Sequence, residues 1–242
     1  ITRDTDELRY ERMVSAFRKF FSGLILVGSA NDESTIRHLR SMDYPFITLE
    51  NSCKSLRLNT VCSDFCSGSG IVAKHIKSLG YTNIIILYDR TYESESLKNL
   101  NDLDIELDKL HSFNKPVLVG LDKISGENEY DFNNFETVLR PPYSGEVIIT
   151  MNAGIVFPLI SFLRKKSIRV PQDIAIISME EGTGFDLINP PVTCLRKQLS
   201  GMAIKTANIL WTELKNNGKS KFKRQVNLVP ELIVRSSCGS FS

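Results

Sequence analysis

Residues 146–178 contain one complete strand-helix-strand unit. They open with the run E-V-I-I-T at 146–150, continue through an apolar helical stretch at 155–166, and close with D-I-A-I-I-S at 173–178. The apolar residues of both runs are consecutive rather than alternating, which is typical of strands that are buried on both faces. This order predicts an α/β fold with a parallel sheet covered by helices.

The same alternation of strands and helices continues outward from this unit. Further strand candidates lie at 23–27, 45–49, 83–88 and 116–120, and further helix candidates lie at 5–21, 33–41, 67–79 and 201–216. The segments 91–114 and 125–142 are polar and poorly patterned, although the first has a helical tendency. A chain of 242 residues holds one large domain or two lobes of about a hundred residues each.

Composition excludes several classes of protein. The formal net charge of +2 is too small for a nucleic-acid footprint, and no run of about 18 apolar residues could span a bilayer. The five cysteines lie at 53, 62, 66, 194 and 238 without a C-x-x-C pair. We expect reduced thiols in a cytoplasmic protein without a signal peptide, and a metal held by Cys62 and Cys66 is the alternative.

The sequence carries no motif of a known catalytic class. It lacks G-x-S-x-G, the P-loop and H-E-x-x-H, and its three histidines are isolated. The trio Gly68, Ser69 and Gly70 lacks the third glycine of a dinucleotide-binding turn. We therefore expect no catalytic residue, no cofactor and no metal.

The C-terminal third holds five segments in a fixed order that match a known pattern. They are I-R-V-P-Q-D-I-A-I-I at 168–177, S-M-E-E at 178–181, N-P-P-V-T at 189–193, G-M-A at 201–203 and L-V-P-E-L-I-V-R-S-S at 228–237. The N-terminal half agrees through G-L-I-L at 23–26 and through the spacing of Val61, Asp64, Gly68 and His75. The chain resembles the effector-binding core of the lactose-repressor (LacI/GalR) family of bacterial transcription regulators, except over about 91–142.

This resemblance implies the overall organisation. It implies two Rossmann-like lobes with parallel sheets, the type I periplasmic-binding-protein-like fold, joined by three linking strands. One lobe is expected at 1–88 plus 199–226 and the other at 89–198 plus 227–242. The resemblance further implies that the family's first βαβ unit and its DNA-binding headpiece are expected outside this sequence.

The implied function is that of a sensor. A small effector, a sugar in the family, is expected in the cleft between the lobes, where its binding controls a homodimer that contacts operator DNA through the missing headpiece. An extracytoplasmic sugar- or solute-binding protein of a transport system has the same fold and is the alternative. The unpaired cysteines and the closing segment favour the regulator.

The resemblance also implies ligand-binding residues. Asn152 matches the asparagine of the family's N-D pair, Glu180 matches an aspartate that accepts ligand hydroxyls, and Lys197 and Leu199 match the lobe crossover that faces the ligand. Ser67, near the start of the helix at 67–79, is a further candidate. The alternatives are helix capping for Asn152 and Ser67 and a solvated turn for Glu180.

This sequence departs from the family at several site positions. Ala153 replaces the aspartate of the N-D pair, and the family's two aspartates are the longer Glu180 and Glu181. The family's arginine after the strand at 83–88 has no match, and Arg90 or Lys98 could substitute for it only by realignment. The site has therefore lost part of its usual polar set.

A dimer interface is implied by two stretches. Phe157 and Ile160 lie in the helix at 155–166, and Leu187 and Ile188 lie in the loop that follows the strand at 173–178. In the family these positions contact the second subunit of a two-fold dimer. Burial in the lobe's own core is the alternative.

Overall fold

The computed structural model describes residues 16, 19–27, 33–50, 58–124, 129–139, 141, 143, 145–218 and 223–240. The expected helix at 5–21 lies mostly outside these residues. The chain divides into two compact units, which are Ile1–Asp64 with Gln198–Leu228 and Phe65–Lys197 with Val229–Ser242. We call them unit 1 and unit 2.

The regular elements follow one another along the chain as strand and helix. In chain order they are β1 (Leu24–Val27), α1 (Glu33–Ser41), β2 (Phe46–Leu49), β3 (Thr60–Ser63), α2 (Phe65–Ser78), β4 (Asn83–Asp89), α3 (Glu93–Asp108), β5 (Val117–Lys123), β6 (Tyr130–Asp131), α4 (Asn133–Val138), β7 (Glu146–Thr150), α5 (Val156–Lys165), β8 (Ala175–Ser178), β9 (Thr193–Arg196), α6 (Leu199–Lys215), β10 (Gln225–Leu228) and β11 (Glu231–Ile233). Short 3-10 turns lie at Arg90–Tyr92, Ala153–Ile155 and Ser236–Cys238. No helix within the described ranges combines the length and the apolar character needed to cross a membrane.

Unit 1 is built on a four-stranded sheet in the order β1-β2-β3-β10, in which every pair is parallel. One cluster of buried side chains, which includes Leu26, Ile36 and Leu39, joins β1 to α1. A second cluster, which includes Val61 and Ile209, joins the sheet to α6. Helices therefore cover both faces of this sheet.

Unit 2 is built on a seven-stranded sheet in the order β11-β9-β8-β7-β4-β5-β6. The five central strands are parallel, and the outermost strands β11 and β6 are antiparallel to their neighbours. The helices α2 and α3 pack on one face and α4 and α5 on the other. This arrangement confirms the α/β class with parallel sheets.

The strand β4 illustrates why its sequence is apolar at consecutive positions. Ile84 and Ile86 belong to the core under α2 and α3, whereas Ile85 and Leu87 belong to the core under α4 and α5. All four side chains are buried. A strand with a core on each side has no solvent-facing position, so polar alternation disappears.

The expected lobe boundary at residue 88 is wrong. The structure ends the first segment of unit 1 at Asp64 and assigns α2 and β4 to unit 2. The reason is strand pairing, since β4 lies between β5 and β7 and forms a parallel ladder with each of them. The other two passages between the units lie at 197/198 and 228/229.

Candidate functional site

The carboxyl ends of the five parallel strands of unit 2 meet at one edge of the sheet. The residues at these ends are Asp89, Lys123, Asn152, Glu180, Glu181 and Arg196. In open parallel sheets this is the edge at which ligands bind, because loops and helix N-termini converge there. We call it the carboxyl edge of unit 2.

Asn152 lies two residues beyond the end of β7, with its side chain half-buried. Its Oδ1 accepts a hydrogen bond from the main-chain N–H of Asp89, at 3.1 Å, across the sheet. The side chain makes no capping hydrogen bond to the helical turns that follow it. The capping alternative for Asn152 is therefore wrong, and no described residue accepts a hydrogen bond from its Nδ2 group.

Glu180 lies two residues beyond the end of β8. Its Oε2 accepts a hydrogen bond from the main-chain N–H of Ala153, at 3.1 Å. Ser178 fixes the turn below it, because its Oγ donates to the carbonyl oxygen of Glu180 at 2.7 Å. Among the described residues Oε1 of Glu180 has no donor, so one carboxylate oxygen of a well-anchored residue remains available.

Glu181 faces a different set of partners. Its carboxylate accepts hydrogen bonds from Nε and Nη2 of Arg196, at 2.7 and 2.6 Å, and from Nη2 of Arg235 at 3.4 Å. The hydrogen bonds from Arg196 hold the pKa of Glu181 below its ordinary value, and Arg235 acts in the same direction. Glu181 thus forms an ion pair with Arg196, whereas Glu180 pairs with no described cation.

Asp89 is a buried acid at the end of β4, with 1% of its surface exposed. Its carboxylate accepts hydrogen bonds from the N–H of Thr91 and the hydroxyl of Tyr130, both at 2.8 Å, and pairs with Lys123 at 3.2 Å. Burial raises the pKa of Asp89, but these hydrogen bonds outweigh it and hold the pKa below its ordinary value. The residue is therefore ionised at neutral pH.

Arg90, one of the two candidates for the family's missing arginine, follows β4 directly. Its Nη1 pairs with Asp122 at 2.9 Å, and a Cβ at position 120 would lie only 2.6 Å from its Nε. The side chain therefore lies against Gly120 on β5, in a place that only glycine leaves open. Lys98, the other candidate, lies in α3, where the structure does not describe its side chain.

The remaining predicted ligand residues lie elsewhere. Ser67 is exposed and is the third residue of α2, so it lies inside the first turn and does not precede the helix as a cap would. Lys197 is exposed at the end of unit 2, and Leu199 is the first residue of α6 in unit 1, 69% exposed. None of the three belongs to the hydrogen-bonded group around Asn152 and Glu180.

The predicted dimer residues divide into two pairs. Leu187 is 84% exposed and Phe157 is 45% exposed, with the Phe157 ring packed edge-on against the buried Phe185. Ile160 is 6% exposed, and Ile188 packs partly buried against the same core. For Ile160 the interface expectation gives way to the alternative of burial in the unit's own core, because α5 turns that residue toward the sheet.

Cys62 and Cys66, which the sequence offers as alternative metal ligands, contact different side chains. Cys62 contacts the hydroxyl of Thr60 at 3.3 Å, and Cys66 contacts Glu106 at 3.6 Å. Within the described ranges no group of three His, Cys, Asp or Glu residues is placed to hold a metal ion.

The fold and the carboxyl edge can be compared with known proteins. The profile of the periplasmic binding protein-like domain family matches residues 73–238, more than half of the chain. The chain belongs to this family. A periplasmic binding protein-like core of this kind forms the effector-binding domain of LacI-family regulators, as the resemblance in sequence implied.

One curated relative is the HTH-type transcriptional repressor PurR of Histophilus somni (strain 2336). It is 19% identical over 221 residues, which are 91% of this chain and 65% of the relative. The chain therefore spans just under two thirds of that protein's length. The relative is a transcriptional repressor by name.

Two similar solved structures contain sugars. A LacI family regulator from Enterococcus faecium with bound ribose has a TM-score of 0.76 and 18% identity, over 94% of this chain and 84% of that one. A periplasmic binding protein/LacI regulator from Alkaliphilus metalliredigens QYMF, complexed with D-xylulofuranose, has a TM-score of 0.73 and 15% identity, over 96% and 84%. At these identities the likeness establishes the shared fold.

Sequence reasoning missed Asp89. The prediction ends the strand at Tyr88, begins the poorly patterned segment at residue 91 and gives Asp89 no role. The one available signal was a charged pair, Asp89 and Arg90, directly after the run I-I-I-L-Y at 84–88. Its partners Lys123 and Tyr130 are more than thirty residues away, so only the paired strands bring them together.

Proposed function

We propose that this periplasmic binding protein-like core senses an uncharged polyhydroxyl molecule, a sugar, and that unit 2 binds it at its carboxyl edge. The observation that carries the proposal is that, among the described residues, an unused donor and an unused acceptor lie on two turns that one hydrogen bond joins. Asn152 offers its Nδ2 group and Glu180 offers Oε1, while Ala153 joins the two. A hydroxyl group both donates and accepts, so it satisfies both sites at once.

The charges at this edge support an uncharged ligand. Arg90 pairs with Asp122, Lys123 with Asp89, and Arg196 with Glu181. Among the described residues Glu180 has no cationic partner. A phosphate or carboxylate on the ligand would be repelled by the negative charge of Glu180. Arg90, Lys123 and Arg196 would not offset this repulsion, because each already pairs with an acid.

The sugars bound by the two solved structures support the same class of ligand. The name of the PurR relative supports a regulator, and we propose that a DNA-binding segment outside this sequence contacts the operator. We also propose a cytoplasmic homodimer in which Leu187 and Phe157 contact the second subunit. Their exposure supports this, because large apolar side chains at the surface often mark contacts.

A thermal-shift experiment tests the ligand proposal. A ligand that binds only the folded state stabilises it by RT ln(1 + [L]/Kd), about 2.7 kcal/mol at a hundredfold excess over Kd. We expect D-ribose or D-xylulose to give a saturable rise in melting temperature and D-ribose 5-phosphate to give none. Asn152→Ala is expected to abolish the rise.

The matched control is Glu136→Gln in α4, whose exposed carboxylate pairs with Lys166 on the surface. This variant should respond to the sugar as the wild type does. A response to the phosphorylated sugar alone, or an undiminished response in Asn152→Ala, would contradict the proposed site.

A further inference from the structure

Asp89 occupies a position at which the sheet otherwise carries apolar residues. On the same face of β4, Ile85 and Leu87 belong to the core under α4 and α5. A buried ionised carboxylate is costly unless it is paired and hydrogen-bonded. Specific partners must therefore hold Asp89 in this position.

Those partners come from three separate elements. Thr91 belongs to the 3-10 turn after β4, Lys123 ends β5, and Tyr130 begins β6. Oδ1 of Asp89 accepts from the N–H of Thr91, whereas Oδ2 accepts from Tyr130 and Lys123. The carboxylate therefore links the end of β4 to the turn that follows it and to β5 and β6.

The main chain of Asp89 extends this arrangement to the ligand groups. Its N–H donates to Oδ1 of Asn152, which turns the Nδ2 group of that amide away from β4. The turn after Asn152 also runs beside Tyr130, because a Cβ added at Gly154 would be in ordinary van der Waals contact, at 3.5 Å, with the Tyr130 hydroxyl. The orientation of the Asn152 amide is thus set by the main chain of Asp89, whose own carboxylate is buried.

We propose that Asp89 is a positioning residue, whose anchored carboxylate fixes the end of β4 and thereby directs the Nδ2 group of Asn152 toward the ligand. The proposal rests on the proposed function for the nature of the ligand. Its structural part concerns the ligand-free protein and is tested without any sugar. Asp89 acts through Asn152 and does not itself contact the ligand.

The test uses the whole chain labelled with ¹⁵N-asparagine. The side-chain amide signals of Asn152 are identified by their loss in Asn152→Ser. Asp89→Asn removes the charge at nearly constant shape, and Tyr130→Phe removes only the hydroxyl that donates to Asp89. Asp122→Asn is the matched control, because it neutralises an exposed acid at the end of β5 that pairs with Arg90.

We expect Asp89→Asn and Tyr130→Phe to shift or broaden the Asn152 amide signals and Asp122→Asn to leave them unchanged. In the same proteins the affinity for D-ribose should fall roughly tenfold in the first two variants, the loss of about one hydrogen bond, and stay constant in the control. Should Asp89→Asn fail to fold, Tyr130→Phe alone decides the matter.

Unmoved Asn152 signals in a folded Tyr130→Phe protein would overturn the proposal. So would moved signals combined with unchanged sugar affinity. If the signals move as expected but the wild type does not bind D-ribose, Asp89 is still shown to orient Asn152, and it is the choice of sugar that fails.

Discussion

The main-chain N–H of Ala153 donates to Oε2 of Glu180 at 3.1 Å, so the turns that follow β7 and β8 are joined at the carboxyl edge of unit 2. Because Asn152 precedes Ala153, the amide and the carboxylate that we assign to the ligand belong to one connected structure. The family's aspartate at the alanine position is not needed for this link, since the main chain supplies it.

Replacing Glu180 by glutamine or alanine tests the structural role of its carboxylate. Glutamine keeps an oxygen that accepts from Ala153, so we expect Glu180→Gln to leave the free energy of unfolding nearly unchanged. Glu180→Ala leaves that N–H without its acceptor and should cost about 1 kcal/mol. Urea denaturation measures both. Equal stability of the two variants would show that the Ala153 hydrogen bond contributes little.

The Arg169–Asp173 pair predicts a perturbed titration. Nε and Nη2 of Arg169 donate to the Asp173 carboxylate at 2.9 and 2.7 Å, which lowers the pKa of Asp173 to about 2. A folded pKa below the ordinary 3.8 means that this pair stabilises the fold above about pH 3.8 and that its contribution is lost as the pH falls through about 2. In Arg169→Gln, carbon-13 NMR should find this pKa raised toward 3.8, and an unchanged value would contradict the assignment.

The aromatic core of unit 2 predicts a large stability loss. Phe135 is fully buried, and its ring lies against Phe132 and Phe162 with centroids 6.0 and 5.7 Å away. Phe135→Ala should lower the free energy of unfolding by about 3–5 kcal/mol, through lost burial and the cavity that remains. Leu118→Ala, at a site that is 55% exposed, is the control and should change it by less than about 0.5 kcal/mol.

The dimer proposal is tested at its most exposed residue. Leu187→Asp places a charge where we expect contact with the second subunit, so sedimentation should detect a shift from dimer to monomer. Ile105→Asp, at a 44% exposed position in α3, is the control and should leave the dimer intact. A wild type that is monomeric at high concentration, or a dimer insensitive to Leu187→Asp, would rule out this interface.

Much of the architecture follows from the sequence, because strands buried on both faces appear in it as runs of consecutive apolar residues. The runs at 146–150 and 83–88 were located to within a residue of β7 and β4. The prediction does not include β3, β6, β9, β10 and β11, since two to four residues of mixed polar and apolar character carry too little pattern to stand out. The boundary at 88 failed for a related reason: a strand's partners are decided by pairing, which the local sequence does not contain.

The site was predictable only in part. The asparagine and the glutamate could be named because each follows a buried strand within a segment that resembles a family. That Asn152 bonds to Asp89 rather than caps a helix depends on the neighbouring β4, which ends more than sixty residues earlier. The roles of Lys123 and Tyr130 depend on pairing across the β5–β6 edge in the same way.

The central claim is that an uncharged sugar binds at Asn152 and Glu180. The N–H of Ala153 follows Asn152 and donates to Glu180, so its NMR signal reports on binding at this site. We would titrate ¹⁵N-labelled protein with D-ribose and follow that amide. The account predicts a saturable shift at Ala153 together with the Asn152 side chain, both lost in Glu180→Ala. Saturable binding that leaves both signals unmoved would contradict it.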